Sequence, residues 1–140
     1  MIYLLDTNIV SETSKPRPDA GVIAWLESVS LRDTPLSVVT LGEIERGLIG
    51  TPDPICRQRL EAWYRQELLP KFAAQTLDIT HPVITEWART VQAARAAGQT
   101  PGTLDALIAA TASAHGLTVV TRNVKHFTPL GVPTLNIWTP

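Results

Sequence analysis

Cysteine is nearly absent: Cys56 stands alone in 140 residues, so no internal disulfide can form, which fits a reducing compartment. Histidine is scarce as well, and the scattered His81, His115 and His126 cannot build a Cys/His zinc site with one cysteine. No apolar run approaches the about 18 residues of a membrane span, and the start Met1-Ile2-Tyr3-Leu4-Leu5-Asp6 has no basic region or cleavage site of a secretion signal. A cytoplasmic protein without membrane contact is expected. Neither charge sign dominates, since 12 Lys and Arg face 13 Asp and Glu for a net charge of −1, and this excludes the broadly basic surface of a general DNA binder. Any nucleic-acid contact must be local. Acidic residues stop at Asp105, beyond which Arg122, Lys125 and His126 lie in one short stretch. That stretch is either a solvated loop or a phosphate contact. A Walker loop, a Gly-x-Ser-x-Gly elbow and a Gly-x-Gly-x-x-Gly turn are all missing.

What is present is the pattern of one domain spanning residues 1–140, with 44% hydrophobic and 18% charged residues, too apolar for a disordered chain. Short apolar runs alternate with longer amphipathic ones. Ile2 to Leu5, Leu36 to Val39, Leu77 to Ile79, Val119 to Val120 and Leu135 to Trp138 read as strands, continuous enough to be covered on both faces. Helical stripes run through Val22, Ile23, Leu26 and Val29, through Leu60, Trp63, Tyr64 and Leu68, through Val83, Trp87, Val91 and Ala94, and through Leu104, Leu107, Ile108 and Thr111. Gly116 closes the last of these at the position a helix C-terminus prefers. The expected architecture is a three-layer α/β/α domain around a central, mostly parallel sheet. The tryptophans on these stripes read as core rather than as stacking platforms for bases. Cys56 lies in a helix without an activating partner and reads as structural.

Three acids fall at strand-to-helix junctions: Asp6 after the first strand, Glu43 in the first turn of a helix opening at Thr40, and Asp105 near the start of a helix opening at Thr103. Such junctions gather along the carboxyl edge of a parallel sheet, where α/β proteins bind ligands. Singly, each acid has a bland explanation. Asp6 can cap a helix, Thr40 and Glu43 match a capping box, and Asp105 suits the helix dipole. Brought together without a neighbouring Lys or Arg, the three would repel one another, and the usual resolution is a hard, oxygen-seeking cation, Mg²⁺ or Mn²⁺. Such an ion binds phosphate oxygens and activates water, so metal-dependent phosphodiester cleavage is the natural chemistry. On this reading Asp6 and Asp105 hold the cation, and Glu43 either binds it or activates the water. Arg122 or Lys125 holds a phosphate. Arg46 is a further phosphate candidate that could instead form a surface ion pair one helical turn from Glu43.

Leu4-Leu5-Asp6-Thr7-Asn8, Leu41-Gly42-Glu43-Ile44-Glu45-Arg46-Gly47, the run from Leu104 to Ala112 and Val119-Val120-Thr121-Arg122-Asn123 resemble, in order and spacing, the PIN-domain ribonucleases of the VapC type, including their FitB-like branch. The resemblance implies a Mg²⁺- or Mn²⁺-dependent endoribonuclease acting as the toxin of a type II toxin–antitoxin pair. It implies a homodimer, neutralised by a small VapB-like antitoxin and meeting DNA only through that antitoxin. Asp6, Glu43 and Asp105 match the family's metal-binding acids, Asn8 matches a residue supporting the first acid, and Thr121 with Asn123 matches a segment where many members carry a fourth acid. No carboxylate lies between Thr121 and His126 here, which opens the choice between one metal ion and two.

Two rivals come from other classes. An aspartyl-phosphate protein also places an Asp after its first strand, but a dehalogenase-like phosphatase needs a second Asp where Asn8 stands, and a receiver domain needs paired acids where only Asp6 is found. A catalytically degenerate PIN-fold module would act by binding a partner protein and, through it, DNA; the missing fourth acid motivates that alternative.

Overall fold

A computed structural model describes all 140 residues. The chain begins with strand β1 (Tyr3–Leu5) and helices α1 (Thr7–Glu12) and α2 (Ala20–Ser28), followed by β2 (Leu36–Ser37), α3 (Val38–Ile49) and α4 (Pro54–Trp63). A π-helical segment, Tyr64–Leu68, leads into α5 (Leu69–Phe72), β3 (Thr76–Leu77), α6 (His81–Ala96) and α7 (Thr103–His115). Then come β4 (Thr118–Val120), α8 (Val124–Phe127) and β5 (Thr134–Leu135). The π segment lies just ahead of Pro70, which lacks an N–H and so removes one bond of the regular helical ladder.

All five strands pair in parallel in the order β3-β2-β1-β4-β5. The register Leu4↔Val119 and Leu5↔Val120 explains the layering. Leu4 and Val119 face a cluster with Ala106, Ile108, Ala109, Leu117 and Phe127. Leu5 and Val120 face the opposite cluster with Ile9, Val22, Leu36, Ile44 and Tyr64. Successive strand residues point to opposite faces, so two adjacent apolar residues serve two cores. At roughly 1.5–3 kcal/mol per large buried side chain, both faces contribute heavily to stability. The three-layer parallel architecture expected from the sequence is therefore observed. No helix is long and apolar enough to cross a membrane.

Two local expectations need correction. The second strand stops at Ser37 instead of Val39, because the Ser37 hydroxyl accepts from the Val39 N–H at 3.1 Å and caps α3. Helix α3 thus opens at Val38, Glu43 sits beyond its first turn, and the Thr40–Glu43 capping box is not formed. The last strand ends at Leu135 rather than Trp138, since Asn136 Oδ1 accepts from the Trp138 N–H at 3.0 Å and turns the chain. Tyr64 and Leu68 are buried in the core of a single chain, as their helical stripe indicates. Gly116 does end α7 in the left-handed conformation, with φ of 67°.

Candidate active site

The chain builds outward from β1 to β3 and then returns to place β4 on the other side of β1. The carboxyl ends of β1 and β4 therefore flank the point where strand order reverses, the crevice at which open parallel sheets bind ligands. Asp6 follows β1 and Thr121 follows β4, and the Asp6 N–H donates to the Val120 carbonyl at 2.9 Å.

Asp6 is 5% exposed, with both carboxylate oxygens engaged. Oδ1 accepts from the Thr7 N–H at 2.8 Å, which makes Asp6 the N-cap of α1. Oδ2 accepts from the Thr121 hydroxyl at 2.8 Å and from Asn8 Nδ2 at 3.3 Å. Thr121 Oγ1 in turn lies 3.3 Å from Asn8 Nδ2 and accepts from the Asn123 N–H at 2.9 Å. The Arg122 N–H donates to Asn8 Oδ1 at 3.3 Å. Asp6 is thus both a cap and the centre of a polar network joining two strand ends, and its two readings are not alternatives. Asn123 contributes through its backbone only.

Burial pushes the Asp6 carboxyl above its usual range. The bonds from Thr121 and Thr7 pull the other way, and the negative charges of Asp105 and Glu43 add to the rise. All three acids are therefore within electrostatic reach. Glu43 reaches the site through an unforeseen residue, Thr7, whose hydroxyl donates to Glu43 Oε1 at 2.6 Å. Only its place between Asp6 and Asn8 could have flagged Thr7 in the sequence. Asp105, in the first turn of α7, has a carboxyl raised by burial and partly offset by His126, whose Nδ1 lies 3.4 Å from Asp105 Oδ2. Asp105, Lys125 and His126 line a polar cleft of about 390 Å³ together with Gln99, Thr100 and Gly102.

The basic candidates separate. Lys125 lies in the cleft beside Asp105. The Arg122 guanidinium turns onto the ring of Trp138. Arg46 is exposed on α3 outside this network, without the ion pair to Glu43. No Lys or Arg is ion-paired with any of the three acids.

The acids do not close into a cage: no three Asp, Glu, His or Cys side chains meet round one point. The donor set nonetheless suits a hard cation. It offers oxygen alone and excess negative charge, and Mg²⁺ typically uses one or two carboxylates, several waters and substrate phosphate rather than an all-protein cage.

The PIN-domain profile matches residues 3–128. The chain belongs to the PIN-domain family. Within it, this PIN domain is similar to toxin FitB of Neisseria gonorrhoeae, 38% identical over 141 residues covering 98% of this chain and 99% of that protein. It is also similar to the VapC ribonuclease Y4jK of Sinorhizobium fredii, 34% identical over 139 residues covering 99% of each. Among solved structures, the chain in the FitAcB complex of Neisseria gonorrhoeae superposes with a TM-score of 0.92 at 35% identity, covering 99% of this chain and 100% of that one. The PIN domain described here is thus of the FitB and VapC toxin type.

The polar network of this PIN domain makes a direct prediction. Thr121→Val preserves shape but removes the hydroxyl that serves Asp6, Asn8 and the Asn123 N–H. Leaving buried polar groups unpaired should cost about 1–3 kcal/mol in thermal melts. Because the Thr121 bond favours the ionised carboxylate, the Asp6 carboxyl should titrate at still higher pH by carbon NMR. An unchanged Asp6 titration would show that Thr121 does not set its ionisation.

Proposed function

We propose that this chain is the toxin of a type II toxin–antitoxin pair and acts as an endoribonuclease, hydrolysing RNA phosphodiester bonds with Mg²⁺ or Mn²⁺. The observation that carries this reading is the buried Asp6 at the switch point of the sheet, with Asp105 and Glu43 acting on it electrostatically and no Lys or Arg paired with any of the three. The family match and the relatives named as ribonucleases support it.

In this mechanism Asp6 and Asp105 would hold the cation, and Glu43 would be a third ligand or the base for water. When bound, the ion would supply positive charge to phosphate oxygens and acidify water. Asn8 and Thr121 hold the Asp6 carboxylate in one orientation through the bonds described above. Thr7 engages Glu43 Oε1 and leaves Oε2 to take a proton from the attacking water. Lys125, beside Asp105, and Arg122 bind phosphates of the RNA strand, and Arg46 is a further contact on α3. Asn123 supports the loop through Thr121. With no acid between Thr121 and His126 and Thr121 a neutral donor to Asp6, one metal position is better furnished than two.

The partner is a small VapB-like antitoxin, supported by the FitA and FitB complexes, one of them bound to a DNA fragment; DNA is reached through that partner. The active form is a cytoplasmic homodimer. Induced expression in a bacterial host tests the reading: wild type should arrest growth, and Asp6→Ala should relieve the arrest. Arrest independent of Asp6 would favour a partner-binding module without cleavage.

A further inference from the structure

We propose that Trp138 is a positioning residue whose ring holds the Arg122 guanidinium ready for a phosphate of bound RNA. This rests on the reading that RNA crosses the edge of the sheet near Asp6. The family match ends at residue 128, so the segment that does this lies outside it.

The segment is fixed on both sides of the tryptophan. Before it, Asn136 Oδ1 accepts from the Trp138 N–H at 3.0 Å. After it, the Thr139 N–H donates to Asp19 Oδ2 at 3.1 Å, and the Thr139 hydroxyl donates to Asp19 Oδ1. Asp19 also caps α2 by accepting from the Val22 N–H at 3.1 Å. The tail lies so close to α2 that a Cβ on Gly21 would stand 2.7 Å from the Ile137 carbonyl oxygen and 2.9 Å from the Thr139 nitrogen. Ile137 and Trp138 pack against the core cluster that includes Leu5 and Val120.

Against this fixed ring, the guanidinium carbon of Arg122 lies 5.5 Å from the ring centroid, within the range of a cation–π contact. Arg122 is exposed and its backbone is two hydrogen bonds from Asp6, through Asn8. The partner's chemistry matters. A carboxylate would occupy the in-plane N–H donors of the guanidinium, whereas an aromatic face engages only the π surface. The planar fork stays available for bidentate phosphate binding. Arg122 has no acidic partner, so its donors are free, and the ring limits the rotamers it would otherwise lose on binding.

Three substitutions separate positioning from packing. Trp138→Phe keeps an aromatic face, Trp138→Leu keeps apolar bulk without one, and Arg122→Ala removes the cation. Binding of a labelled, single-stranded RNA to the purified full chain is read by fluorescence anisotropy without added metal, and cleavage is scored separately with Mg²⁺. Trp138→Leu should weaken binding by about two- to five-fold, the equivalent of one surface cation–π contact, and raise KM with little change in kcat. Trp138→Phe should stay near wild type. Arg122→Ala should lower the slope of log affinity against log salt by about 0.7, as for one phosphate contact on a single strand. The variant combining Arg122→Ala with Trp138→Leu should bind no worse than Arg122→Ala alone. Wild-type affinity in Trp138→Leu, equal loss in the Leu and Phe variants, or additive losses in the double variant would overturn the proposal. Failure of the wild type to cleave RNA would instead remove the nuclease reading, with the binding comparison still deciding the role of Trp138.

Discussion

Asp6→Asn and Asp105→Asn should each abolish metal-dependent RNA cleavage while far-UV circular dichroism stays native. Both changes preserve shape and remove a negative charge from the edge where β1 and α7 present it. The loss should exceed the 10–100-fold typical of residues that only orient a metal ligand, because each acid is assigned to the ion itself. Asn8 tests the gradation. Its side chain donates to Asp6 Oδ2 and is assigned to orienting that carboxylate, so Asn8→Ala should fall within that 10–100-fold range. Substantial cleavage by purified Asp6→Asn or Asp105→Asn would remove that acid from the mechanism.

The second large effect is on stability and needs no substrate. Burial raises the Asp105 carboxyl above its ordinary value in the folded chain, so the ionised form is less favourable there than in the unfolded one. The folded state is relieved of this burden at pH below the ordinary carboxylate value of about 3.9, and the burden grows as pH rises through the higher folded value. At neutral pH, Asp105→Asn should therefore leave the melting temperature of the metal-free protein unchanged or raise it. Asp105 suits this test better than Asp6. Both Asp6 oxygens accept hydrogen bonds, and an amide could keep only one of them. Asn at 105 can still accept from His126. If Asp105 served only to satisfy the dipole of α7, its charge would be favourable by about 0.3–1 kcal/mol and the melting temperature would fall. Adding Mg²⁺ or Mn²⁺ at a hundred times its dissociation constant should stabilise the wild type by roughly 2.7 kcal/mol, several degrees in a domain of this size, and Asp105→Asn much less. A wild type indifferent to either ion, with Asp105→Asn less stable, would identify the acids as caps.

Where local pattern and tertiary packing agree, the sequence was readable. Leu4, Leu5, Val119 and Val120 form a continuous apolar run on each of two strands, and the register sends them to opposite cores. Helix α7 begins at Thr103 and ends at Gly116 as its signals indicate. Asp6 and Asp105 were legible because a strand-to-helix junction constrains position as well as composition. The surroundings of Glu43 differ from those its local pattern indicates. Ser37 displaced Thr40 as the helix cap, and the carboxylate thought to return to its own backbone meets the Thr7 hydroxyl on another helix instead. The contact of Arg122 with Trp138 and the anchoring of Thr139 on Asp19 were invisible for a different reason. They join residues distant in the chain through single side chains, and no periodicity records such a contact.

The most direct measurement is cleavage of RNA by the purified chain in heavy-oxygen water with Mg²⁺, followed by mass analysis of the new ends. Activation of water by a cation held on Asp6 and Asp105 should give cleavage that stops with chelator, one heavy oxygen in the new terminal phosphate and no cyclic phosphate. Chelator-resistant cleavage, or a cyclic phosphate without heavy oxygen, would mean that the ribose hydroxyl is the attacking group and that these acids do not serve a metal-activated water.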